Sequence, residues 1–63
     1  MSIYERMSQA QLAKALHVLI AHERRALDRA EQAPTADISR RAALQAADYT
    51  ARREAVEELL RRG

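Results

Sequence analysis

Glu23 is the residue whose position most invites a chemical reading. At about 100° per residue it falls inside the apolar stripe formed by Leu12, Leu16, Leu19 and Leu27. A carboxylate among such neighbours is costly unless a partner compensates it. A paired polar layer would do so and would fix register or oligomer state, as a lone polar residue does in a coiled coil. A carboxylate metal centre completed by a second chain is the other arrangement, but it needs Glu-x-x-His on one helix face. His22 is adjacent to Glu23 and so diverges by about 100°, and His17 lies five residues before His22. The spacing favours the polar layer, with Gln45 as the residue opposite Glu23 and Arg41 or Arg52 one turn away. No metal or other cofactor is expected.

Arginine is the second chemical resource, arranged as the doublets Arg24-Arg25, Arg40-Arg41, Arg52-Arg53 and Arg61-Arg62. Guanidinium groups suit bidentate phosphate contact, which makes Arg24, Arg25, Arg40, Arg41, Arg52 and Arg53 candidate nucleic-acid contacts. Acids are interleaved with them, as in Glu23 with Arg24, Asp28 with Arg29 and Glu54 with Arg53, and the formal net charge is only +2. Two tyrosines with no Phe or Trp give bases little to stack on. The spacing therefore favours ion pairs within and between helices, for instance Arg53 with Glu57 and Arg24 with Asp28. Catalysis finds no support: there is no cysteine, no glycine-rich phosphate loop and no serine–histidine pair with a third partner.

The elements that position these residues follow from two breakers. The single proline, Pro34, lies at the midpoint, and the single glycine is Gly63. One breaker between two uninterrupted halves predicts two helices: the first over about 3–32 or 8–32, a turn over about 33–36, the second over about 36–62. Ser8-Gln9-Ala10-Gln11 fits a capping box, and Ser2-Ile3-Tyr4-Glu5 fits an earlier one. One long first helix from the earlier start, its first turn loosely attached, is the expected form. Its main stripe is Leu12, Leu16, Leu19, Ile20, Leu27 and Ala30. The second helix starts at the N-cap Thr35 and carries the stripe Ile38, Ala42, Tyr49, Val56, Leu59 and Leu60. Folding at Pro34 sets Leu27 and Ala30 near Ile38 and Ala42, Leu19 near Tyr49, and Leu12 near Val56.

Such a hairpin is one small domain of 63 residues, and a chain this short hides only about 60% of its unfolded surface. Without cysteine, the remedy left is association. The expected fold is all-α: an antiparallel two-helix hairpin that dimerises into a four-helix bundle. Residues the seam does not use are the expected protein interface: Ile3, Met7, Val18, Leu44, Ala51 and Ala55. Lysine occurs once, at Lys14, and arginine in its place is expected of a GC-rich bacterial or phage genome. No basic-then-apolar leader and no span of about 20 apolar residues is present, so a cytoplasmic address with no membrane partner is expected. The function expected is a regulatory or accessory protein–protein interaction module acting as a homodimer with a further protein partner. Nucleic-acid binding through arginine–phosphate contacts and a subunit that folds only within a larger complex are the alternatives.

Overall fold

Ser8 starts the first helix. In the computed structural model, which describes residues 3–63, the Ser8 side chain accepts a hydrogen bond from the Gln11 backbone N–H at 3.2 Å. The Gln11 Oε1 accepts from the Ser8 N–H in return, at 2.9 Å. This capping box opens α1, Gln9–Gln32. Pro34 ends it, because a proline disfavours the helical region for the residue before it, and Ala33 accordingly sits at φ −64°, ψ 135°. The second helix, α2, Ala36–Arg62, begins at Thr35, whose hydroxyl accepts from the Ile38 N–H at 3.3 Å. Ser39 Oγ then donates to the Ala30 carbonyl at 2.9 Å, satisfying one of the orphan acceptors at the end of α1 and tying the two helices together at the turn.

The long first helix does not form. Residues Ile3–Arg6 make a separate 3₁₀ turn, closed by the Met7 N–H on the Tyr4 carbonyl at 3.2 Å. Tyr4 and Met7 both pack on the core of Leu12, Leu19 and Val56. On a continuous helix Met7 would face away from Leu12, so the break at Ser8 is what lets it reach the core. Met7 therefore belongs to the intramolecular packing, not to a free interface. The Ser2 start lies outside the described residues.

The seam between α1 and α2 is narrower than the large apolar residues suggest. On α1 its centre recurs every seven residues, at Leu12, Leu19 and Ala26; on α2 it alternates three and four, at Ser39, Ala42, Ala46, Tyr49, Arg53, Val56 and Leu60. This is the periodicity of a coiled coil. Ala26 and Ala46 are almost wholly buried, at 0% and 2% exposure, and Ala42 is buried with them. Near the turn, then, the helices meet through methyl groups, and toward the open end through Leu12, Leu19, Val56 and the side chains around them.

That alanine contact corrects the expected register. Leu27 and Ile38, assigned to the seam, are instead 49% and 48% exposed, and Ile20 is also exposed. Glu23 meets Thr50 and Arg53, while Gln45 meets Arg29. The pairing is displaced by more than one turn from Glu23 opposite Gln45, because small residues can come together at the centre of the seam only if the larger ones beside them are turned outward. The Ala30 carbonyl accepts from Ser39 at the start of α2, and Leu12, Leu19, Val56 and Tyr49 share one cluster. No described helix is long and apolar enough to cross a membrane.

Two substitutions test this architecture by urea denaturation monitored by circular dichroism. Ser8→Ala removes the cap and is expected to cost about 0.5–2 kcal/mol. Ala46→Leu forces an isobutyl group into the methyl-lined seam and is expected to cost about 1–3 kcal/mol through overpacking. A gain in stability from Ala46→Leu would contradict the close approach of the helices.

Candidate functional site

The seam contains one polar junction. Glu23 projects from α1 at the edge of the apolar stripe, and Thr50 and Arg53 project from α2 three residues apart, on one face of that helix. The Thr50 hydroxyl donates to Glu23 Oε2 and lies 3.0 Å from the Ala46 carbonyl. Arg53 Nε reaches both Glu23 oxygens, at 3.1 and 3.3 Å, and its Nη1 donates to Glu57 Oε1 at 2.6 Å. The Glu23 and Arg53 side chains are 16% and 25% exposed. The hydrogen bond from Thr50 holds the Glu23 carboxyl below its ordinary pKa; Arg53 adds to this by hydrogen bond and charge, and together they outweigh partial desolvation. In turn the Glu23 carboxylate holds the Arg53 guanidinium above its ordinary value.

Glu23 is thus half-buried rather than buried, and its partners are Thr50 and Arg53 rather than Gln45. Gln45 is exposed and accepts from Arg29 Nη2 at 3.1 Å on the flank of the seam. Arg53, a candidate phosphate contact, is committed to two glutamates. The Arg53–Glu57 pair expected from the spacing is present, whereas Arg24 and Asp28 form no ion pair. The other pairs, Arg52 with Asp48 at 2.9 Å and Arg61 and Arg62 with Glu58, lie like Arg53 in the second half of α2. Arg24, Arg25, Arg40 and Arg41 make no ion pair with a described residue.

Two flanks run along the seam, one on each side. On the Glu23 side, α1 presents Leu16, Ile20 and Leu27 at spacings of four and seven, and α2 presents Ala43, Ala47 and Thr50. The opposite side carries His22, stacked on the Tyr49 ring with centroids 5.1 Å apart and planes 13° apart. The expected interface residues do not gather on either flank. Leu44, Ala51 and Ala55 form an exposed row on the outer side of α2, Val18 is exposed on α1, and Ile3 is exposed in the 3₁₀ turn. Ile20, Leu27 and Ile38 were missed as surface residues; the signal that would have found them is the seven-residue recurrence through Ala26 and the three–four alternation through Ala46. No protein family, curated protein or solved structure matches this chain.

The polar junction gives the fold an acid limb. A carboxyl whose pKa is lowered on folding contributes stability that is full above its unfolded value, near 4.5, and is lost as pH falls through the lower folded value. Thermal melts at descending pH are expected to show Tm falling below about pH 4.5 in the native chain. Glu23→Gln is expected to have a lower Tm at neutral pH and a shallower acid limb. An unchanged acid limb would mean that Glu23 gains nothing from its partners.

Proposed function

We propose that this chain is a protein–protein interaction module that acts as a homodimer, two hairpins forming a four-helix bundle. The observation that carries this reading is the flank of exposed Ile20 and Leu27 beside Ala43 and Ala47, with Leu16 half-buried at its edge against the core. Large apolar side chains stand on one helix, and small ones stand next to them on the other. A two-fold axis parallel to the helices turns such a face onto itself, setting the protrusions of each copy against the small residues of the other. The helices then cross as antiparallel neighbours on every side, as in four-helix bundles. Among the described residues of one hairpin, the buried large ones are only Leu12, Leu19 and Val56, with three alanines. That is a thin core for a domain of this length, and a second copy doubles the apolar surface withdrawn from water.

The row Leu44, Ala51 and Ala55 stays outside such a bundle and supports its role as the surface for a further protein, where small residues let another helix come close. Binding would be recognition of a helix face, with Leu44, 66% exposed, as the anchor.

Sedimentation equilibrium with circular dichroism tests the dimer. A dimer whose helicity and Tm rise with concentration is expected. Ile20→Glu with Leu27→Glu is expected to weaken association by at least about 30-fold, the equivalent of about 2 kcal/mol at a central interface position. Leu44→Glu is expected to leave the dimer intact. A native chain that melts cooperatively as a monomer, independent of concentration, would overturn the reading, as would a disordered monomer that folds only on adding a different protein.

A further inference from the structure

The flank opposite Leu16, Ile20 and Leu27 carries two polar rows with two arginines in each. On α1 the row is His22, Arg25 and Arg29, at spacings of three and four; on α2 it is Arg41, Gln45 and Arg52, at four and seven. The rows are tied across the seam. Arg29 Nη2 donates to Gln45 Oε1 at 3.1 Å, His22 stacks on Tyr49, and the Arg52 guanidinium carbon lies 5.8 Å from the Tyr49 ring centre. Between them lie two shallow concavities that share Arg29 and Gln45 and together form a groove: one is lined by His22, Arg25 and Tyr49, the other, nearer the turn, by Ile38 and Pro34.

Charge is unequally divided between the two flanks. Arg25 and Arg29 line this groove together with Asp28, and Arg41 and Arg52 stand beside it on the same flank by helical spacing, Asp48 being held by Arg52. Of the four arginines, only Arg52 makes an ion pair with a described residue, and that pair is more than half exposed, so exchanging its carboxylate for another anion costs little. The glutamates Glu23, Glu31, Glu54 and Glu57 lie on the opposite side by the same helical spacing, where Arg53 pairs with two of them. A net charge of only +2 over the whole chain conceals this polarity.

We propose that the groove binds the phosphodiester backbone of a nucleic-acid duplex. Guanidinium groups match phosphate oxygens in pairs. From Arg41 to Arg52 the α2 row spans eleven residues, about 16 Å of rigid helix, with Arg25 and Arg29 opposite. A straight, rigid double row of cations complements a polyanion whose charges recur at fixed spacing. The ligand is a duplex rather than a single strand because the groove offers unstacked bases no platform: the one tyrosine ring is already engaged by His22 and Arg52. Contact is with the backbone alone, so binding is independent of sequence. The groove is complete within one hairpin and does not depend on the proposed dimer.

Fluorescence anisotropy with a labelled mixed-sequence DNA duplex, titrated at several salt concentrations, tests this. Four phosphate contacts are expected to give a slope of log K against log salt of about −3.6 per hairpin. Arg25→Ala with Arg41→Ala is expected to make that slope shallower by about two, at native helicity, since both side chains are exposed. Arg61→Ala with Arg62→Ala, which removes exposed arginines elsewhere on α2, is expected to change the slope little. Absence of duplex binding at low salt would overturn the proposal. So would tighter binding of the single strand, an equal loss in the Arg61/Arg62 variant, or displacement of the duplex by polyglutamate at matched charge.

Discussion

The close contact of α1 and α2 through Ala26, Ala42 and Ala46 is the constraint on which the rest of the structure depends. Methyl groups at the centre of a seam let two helix backbones come near, and they leave no volume there for a leucine or an isoleucine. The large residues closest to the turn, Leu27 and Ile38, are therefore set outward, and Ile20 follows on the same side as Leu27. Their exposure is a consequence of how the seam closes, not a failure of the core to collect them. The exposed apolar surface is thus produced by the same residues that hold one hairpin together.

Farther from the turn the seam changes character. At Glu23 it becomes polar, and Thr50 and Arg53 supply the hydrogen bonds a half-buried carboxylate needs. Beyond that it is filled by Leu12, Leu19 and Val56, closed over by Tyr4, Met7 and the residues near the end of α2. The ion pairs concentrate in the second half of α2, while Arg24, Arg25, Arg29, Arg40 and Arg41, nearer the turn, make no ion pair with a described residue. That division, together with the placement of Arg25, Arg29, Arg41 and Arg52 on the flank away from Glu23, gives a small and nearly neutral chain two chemically different surfaces.

Much of this was legible in the residues. Pro34, Ser8 and Thr35 mark the helix ends through local sterics and capping, which act over three or four positions and can be read directly. Arg53 with Glu57 follows from spacing on one helix. The register did not follow, because it depends on how near the helices come, and large side chains were weighed above the alanines that set that distance. Glu23 was recognisable as a polar member of the seam, but its partners moved with the register from Gln45 to Thr50 and Arg53. The break before Ser8 was hidden for a related reason: two caps fit the local pattern, and only packing of Tyr4 and Met7 on the core selects between them.

Register is also where the account is most directly exposed to test. A double-mutant cycle between Glu23 and Arg53, set beside one between Glu23 and Gln45, measures which residue faces the carboxylate. The alanine seam predicts clear coupling of Glu23 with Arg53 and none with Gln45. Coupling of Glu23 with Gln45 and independence from Arg53 would show that the helices pair through their large apolar stripes instead, and the outward placement of Leu27 and Ile38 would fall with it.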